Sequence, residues 1–380
     1  MDNKVCIYTI CKNELQFVDR WLDSMKEANA IVVLDTGSTD GTYEYLLEKQ
    51  SEYPQLIVRQ QIIDPWRFDV ARNESMKDIP DDCNILMSTD LDETLNPGWG
   101  DELRSRWIEG QHQRGVYFYT WSHLDDGSDG RVFQYDKIHS KDWEWIAPVH
   151  EYLYKKGTHW DGSYDGNTVL YLTDTDKVHL HHYPDMNKSR GSYLPLLELR
   201  EKEMPEDWYG LIYLAQEYIY RGHYQKGIDK FNYILSNYAD KYNSVEKASC
   251  YLFMGEAYTE LDDLDKAIWA YQMAIDIDPT YREPYLNLGK VYYQKKMYDL
   301  AIAAIKMGMK NSWRHYTWLE RNESWSWEPW DLLCQIHFYN GNKLESIAYA
   351  AKALTFEPSN SRLQQNLELC LNLSEDKELI

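Results

Sequence analysis

The stretch AIVVLDTGSTDGTYEYLL, residues 30–47, passes from an apolar run through a turn-rich segment into a helical pattern. Ala30–Leu34 predicts a β-strand closed by Asp35. Gly37 and Gly41 let the backbone turn tightly, Ser38 and Thr39 can satisfy exposed amides, and a helix runs through Leu47. The same succession recurs on both sides. Val5–Ile10 predicts a strand and Leu15–Lys26 an amphipathic helix; Leu56–Ile62 predicts a strand, residues 69–78 a helix, and Asn84–Met87 another strand. This alternation indicates an α/β domain with a mostly parallel, Rossmann-like sheet. Ligands of such sheets bind beyond the carboxyl ends of the strands, where this chain places Thr9, Asp35 and the cluster Asp90–Glu93.

At 380 residues the chain is long enough for two domains, and its second half has a different character. Gly255, Tyr258, Ala267, Tyr271, Ala274 and Pro279 precede a second set, Gly289, Tyr292, Ala301, Ile305 and Gly308, at a period of 34. Small and aromatic positions at that period are the tetratricopeptide pattern of stacked helical hairpins. Weaker copies flank them at Ala215–Phe231 and Cys334–Pro358, giving about four repeats. The last interval is lengthened near NSWRHYTWLERNESW (311–325), which reads as a longer loop between repeats. The expected domains are residues 1–200 and 205–372.

A net charge of −22, with neither half basic, argues against a nucleic-acid or anionic-membrane partner. No apolar run is long enough for a membrane span, and the N-terminus MDNKVCIYTI lacks a basic leader, so the expected location is the cytoplasm. Six scattered cysteines without C-x-x-C read as reduced and structural.

In STDLDE (88–93), Asp90 and Asp92 flank Leu91, and an extended backbone would turn both carboxylates to one side. Hard divalent ions such as Mg²⁺ or Mn²⁺ take oxygen ligands of this kind together with substrate phosphates. A solvated acidic turn is the plainer reading of that triplet alone, whereas DTGSTDGT reads equally as a helix cap or as a ligand-binding loop.

Four motifs in order, YTICKNE (8–14), LDTGSTDGT (34–42), DPWRFDVARN (64–73) and STDLDE (88–93), resemble family 2 glycosyltransferases of the GT-A fold. The resemblance covers roughly residues 4–100 and fades towards residue 195. Such transferases fused to tetratricopeptide repeats include the bacteriocin glycosyltransferases of the sublancin kind. The resemblance implies that Thr9, with Asn13 and Glu14 beyond it, lines a nucleotide pocket. It implies that Asp35 contacts the base, that Asp40 supports the same turn, and that Arg72 faces the diphosphate. Asp90 then meets ribose or metal, and Asp92 is the main metal ligand, with Glu93 behind it. In APVHEYLY (147–154), Glu151 is the candidate general base, with Asp142 and Glu144 as rivals. His182, in VHLHHYPD (178–185), is favoured over His181 as a late metal ligand, although Pro184 replaces the family's usual glycine. The Trp143–Trp145 pair and the TWSHLDDG loop (120–127) offer aromatic and acidic contacts to an acceptor.

The expected activity is a Mn²⁺- or Mg²⁺-dependent, inverting transfer of a sugar from a nucleotide-diphosphate donor, such as UDP-glucose. The acceptor is a peptide, protein or saccharide, and the helical repeats either present it or form a homodimer. Two rivals stand beside this reading. A sugar nucleotidyltransferase needs a Gly-rich basic loop after the first strand, where this chain has TICKNELQF. A repeat scaffold with an inactive first domain would not need Asp35, Asp90 and Asp92.

Overall fold

The structure is a computed structural model and describes residues 2–124, 127–157, 168–185 and 191–372. It divides into two compact units, one of residues 1–122 and 132–205, the other of 123–131 and 206–380.

In the first unit the strands are β1 (Val5–Cys11), β2 (Ala30–Asp35), β3 (Leu56–Gln60), β4 (Ile85–Ser88), β5 (Glu93–Leu95), β6 (Arg114–Thr120) and β7 (Val132–His139). They continue with β8 (Trp143–Ile146), β9 (Tyr152–Lys155), β10 (Val169–Tyr171) and β11 (His179–His182). The helices are α1 (Val18–Met25), α2 (Thr42–Lys49), α3 (Phe68–Ser75), α4 (Trp99–Arg106) and α5 (Tyr193–Glu203). The main sheet runs β3-β2-β1-β4-β7-β6-β11-β5, with β10 also beside β6. β1 to β4 are parallel; β7 enters antiparallel between β4 and β6, and β5 closes the far edge against β11.

β1 explains why the sheet sits at the centre. Every residue of VCIYTIC is buried. Val5 and Ile7 pack with α1 residues Val18, Trp21 and Leu22 on one face. Cys6 and Tyr8 pack with Trp143 and Trp145 on the other. A strand covered on both faces needs a continuous apolar run rather than alternation. Register brings the strand ends level: Cys11 pairs with Asp35, and Asp35 with Gln60.

The second unit holds α6 (Trp208–Tyr220), α7 (Tyr224–Asn237), α8 (Ser244–Glu260), α9 (Leu264–Ile277), α10 (Glu283–Gln294) and α11 (Tyr298–Lys310). After a long connection come α12 (Glu328–Tyr339), α13 (Lys343–Leu354) and α14 (Ser361–Leu371). The repeat period has a packing cause. A Cβ added at Gly255 would run into the Tyr271 ring, and one at Gly289 would lie 2.5 Å from Ile305 Cγ1. In both hairpins the glycine lets a bulky residue sixteen positions later close onto the first helix. Gly255→Ala is therefore expected to lower stability by about 1–3 kcal/mol through overpacking, although alanine is intrinsically the better helix former. The midpoint of urea unfolding measures this. All six cysteines are buried, and none is in a disulfide. No helix among the described residues is long and apolar enough to cross a membrane.

Candidate active site

The loops after β1 and β2 are clasped together. Asn13, at φ 56°, accepts from the Thr39 amide at 2.7 Å, and its own amide donates to Ser38 Oγ at 2.8 Å. The Glu14 amide donates to Thr42 Oγ1 at 2.9 Å. Asp40 accepts from the Thr42 amide at 3.0 Å and the Leu15 amide at 3.2 Å, so it starts α2 and ties it to the β1 loop. Asp35 is fully buried at the base of this clasp. Its Oδ1 accepts from the amides of Gly37 and Ser38 and from Gln60 Nε2, each at 2.9 Å. Burial pushes its carboxyl up, but the bonds from Ser38, Gln60 and Gly37 outweigh this and leave it below the ordinary range.

The segment 89–92 is a turn between β4 and β5, not the extended stretch expected from Asp-x-Asp alternation. The Glu93 amide donates to Asp90 O at 3.1 Å, the Asp90 amide donates to Glu93 Oε2 at 2.8 Å, and Leu91 is buried beneath. The two aspartates consequently have different surroundings. Asp92 Oδ2 lies 3.4 Å from His182 Nε2, because β5 pairs with β11 and sets Glu93 opposite His182. His182 Nδ1 is 3.0 Å from the Trp121 carbonyl. A carbonyl only accepts, so that nitrogen carries the proton. Burial lowers the His182 pKa, but Asp92 and Glu93 outweigh it and the net direction is upward. His181 is on the opposite strand face, stacked on His179 at 4.4 Å.

Asp90 instead meets two cations. Arg72 Nη2 donates to its Oδ1 at 3.0 Å, and Lys137 Nζ is 3.7 Å from its Oδ2. Arg72 also donates through Nη1 to Ser88 Oγ at 2.9 Å and through Nε to Glu151 Oε1 at 2.5 Å. It lies over the Trp145 ring, 5.2 Å from the centroid. For both cations burial opposes the charge, and the neighbouring carboxylates, Asp90 first, more than restore it. Burial pushes the Glu93 carboxyl up to about 7; Lys137 opposes this while Asp90 and Asp92 reinforce it.

Glu151 is set by an unusual backbone. Ala147 (φ 77°) and His150 (φ 48°) occupy the left-handed region, which costs energy outside glycine. Buried Arg200 of α5 holds the segment by donating Nη1 to the carbonyls of Val149 at 3.0 Å and His150 at 2.8 Å.

The structure departs from expectation at two nucleotide-pocket residues. Thr9 is fully buried within β1, its Oγ1 donating to Ile10 O, so it is not offered to a ligand; the strand runs on to Cys11. Arg72 is 4% exposed and spends its donors on Ser88, Asp90 and Glu151, so it does not face an open diphosphate site. Of the rival bases, Asp142 is exposed, while Glu144 lines a cavity of about 430 Å³ with Asn73, Lys141 and Lys156. Asp125 and Asp126 of the 120–127 loop lie outside the described residues. Lys137, Gln60 and Arg200 also take part, and no motif marks them. A lysine inside the strand segment VFQYDKIH (132–139), next to Ile138, is the available signal for Lys137.

Residues 6–152 match the model of glycosyl transferase family 2, and residues 255–296 match that of the TPR repeat. The chain carries a family 2 glycosyltransferase domain, an α/β fold of the GT-A type, followed by an all-α tetratricopeptide-repeat region. No curated protein matches it. Among solved structures it is similar to a thermophilic TPR protein of Thermus thermophilus, at 22% identity over 47% of this chain and 89% of that one, with a TM-score of 0.38. It is also similar to MamA (20% identity, 47% and 99% covered, TM-score 0.36) and to YrrB, described as a TPR protein with an unusual peptide-binding site (14%, 46% and 81%, 0.35).

Proposed function

We propose that the chain is an inverting glycosyltransferase that uses a nucleotide-diphosphate sugar, of the UDP-glucose kind, and a divalent cation, Mn²⁺ or Mg²⁺. The reading assigns residues 1–200 to catalysis and 205–372 to presentation of a peptide or protein acceptor. The observation that carries it is the pairing of Asp92 with His182, ninety positions apart in sequence, in the unit that also holds buried Asp35.

The donor set suits a cation. With Nδ1 donating to Trp121, His182 Nε2 turns a lone pair towards the Asp92 carboxylate, and two acceptors at 3.4 Å need a proton or a metal between them. Ligands each about 2.0–2.2 Å from one ion stand at about this separation. When bound, such an ion supplies Lewis-acid stabilisation of the leaving diphosphate. Asp90 contributes from the same turn, its carboxylate held by Arg72 and Lys137. Buried Asp35 fixes the turn after β2 by holding the amides of Gly37 and Ser38, and the clasp of Asn13, Glu14 and Asp40 above it shapes the rim of the nucleotide site. Glu151, with Oε1 on Arg72, takes the acceptor's proton on Oε2 as the nucleophile attacks the anomeric carbon.

The test is a thermal-shift and donor-hydrolysis experiment with UDP-sugars, with and without Mn²⁺. The expected result is a metal-dependent rise in melting temperature, since a ligand that binds only the folded state stabilises it, together with slow release of UDP. Neither binding nor hydrolysis across nucleotide sugars would leave the inactive-scaffold reading in place.

A further inference from the structure

The long connection between α11 and α12 does not loop away from the helices. Each hairpin of the second unit has a first helix, α6, α8, α10 or α12, and residues 313–325 run along the face these helices form. Trp318 stacks on Tyr213 of α6, with centroids 4.8 Å apart. Leu319 is 5% exposed in a core with Leu211, Ile212 and Phe253. Arg321 Nη2 donates to Glu256 of α8 at 2.6 Å.

The backbone of the segment is also held by side chains of the helical array. Tyr281, just before α10, donates to the Leu319 carbonyl at 3.1 Å, and Glu283 of α10 accepts from the Arg321 amide at 2.8 Å. Side chains seated in place while the main chain is hydrogen-bonded is how a folded domain reads a bound peptide. The segment is clasped internally by buried Glu320, which accepts from the amides of His315 and Tyr316, each at 2.8 Å. Beyond Arg321 the same face continues as a cavity of about 500 Å³ lined by Tyr220, Glu256, Tyr271, Asn287 and Lys290.

We propose that residues 313–325 are an internal ligand of this face, and that the partner the face takes is a peptide with an aromatic–aliphatic pair followed two positions later by arginine. Trp318, Leu319 and Arg321 are the built-in copy of that signature. Glu256 selects the cation, Glu283 holds the main chain at the same position, and the chain's net charge of −22 works against an acidic partner. A partner reaches the face by displacing the segment. This goes beyond the transfer reaction proposed above, and its test does not use that activity.

The test compares the full chain with a variant in which residues 313–321 are replaced by Gly/Ser of equal length. Both are titrated with a labelled synthetic peptide of residues 311–327. The replaced variant is expected to bind the peptide saturably, with a Kd on the order of micromolar, while the unaltered chain binds at least about tenfold more weakly because its own segment competes. A Trp318→Ala peptide should lose at least about tenfold in affinity. A replaced variant that keeps its helical circular dichroism and does not bind, or equal binding by both chains, overturns the proposal. Should the replaced variant fail to fold, hydrogen exchange on Trp318→Ala in the full chain decides. Amides of 313–321 should exchange about tenfold faster while α9 and α11 are unchanged, and unaltered exchange at 313–321 overturns the proposal.

Discussion

Asp92→Asn is expected to lower donor hydrolysis by at least about a hundredfold and to abolish the Mn²⁺-dependent rise in melting temperature, while the metal-free protein melts near its normal temperature. The size follows from position. Changes to residues that only orient a metal ligand already cost about 10–100-fold, and Asp92 is assigned as a ligand itself. The near-normal stability follows from its partner. Asp92 Oδ2 faces His182, and asparagine keeps an oxygen in place while removing a negative charge from a cluster that also holds Asp90 and Glu93. His182→Ala should give the same two losses. If both residues hold one ion, the double variant should be little worse than either single one, because the second change removes an interaction already lost. Additive losses, or a Mn²⁺ response retained in Asp92→Asn, would remove the metal assignment while leaving the transferase reading standing.

What could be read from the chain and what could not differ by physical cause. β1, β2 and β4 were legible because each is a short apolar run ended by polar residues, and a sheet buried on both faces demands that pattern. The repeat was legible at Gly255 and Gly289 because close helix contact admits no side chain there, a constraint that recurs with the period. The Asp90–Asp92 pair is visible in the sequence, but its geometry is not. Alternation assumes an extended backbone, and the amide bond to Glu93 with burial of Leu91 closes a turn instead. The pairing of Asp92 with His182 depends on β5 meeting β11 at the sheet's far edge, a register that no local pattern encodes. Arg200 was invisible for the same reason: its partners are carbonyls, and any sequence supplies those. The 311–325 insertion showed itself as extra length, whereas its seat on Tyr213, Tyr281 and Glu283 is a tertiary fact.

Arg72→Met should be the most destabilising single change in the first unit, by about 3–5 kcal/mol, read from the urea midpoint at neutral pH. Methionine fills much of the same volume and packs against Trp145, so the loss is not mainly a cavity. It comes from the groups left behind. Glu151 loses its 2.5 Å partner, Ser88 Oγ loses a donor, and Asp90 is left with the longer contact to Lys137. Glu151, nearly buried, carries the full desolvation cost when it loses its cation, whereas the partly exposed Asp90 keeps some of its hydration. Arg72→Lys separates charge from geometry. It keeps a cation beside Asp90, but a single ammonium does not reproduce a planar fork serving three acceptors in different directions, so it should recover part of the loss. Two further changes place the cause. Adding Glu151→Gln to Arg72→Met removes one stranded carboxylate and should restore part of the stability, whereas Glu151→Gln alone leaves Arg72 short of a partner and destabilises. The sign of the Glu151 substitution therefore reverses with the residue at 72, and a double-mutant cycle measures that reversal directly. If Glu151→Gln acts identically in both backgrounds, Arg72 does not hold the acid, and the route by which α3 positions the candidate base is lost with it.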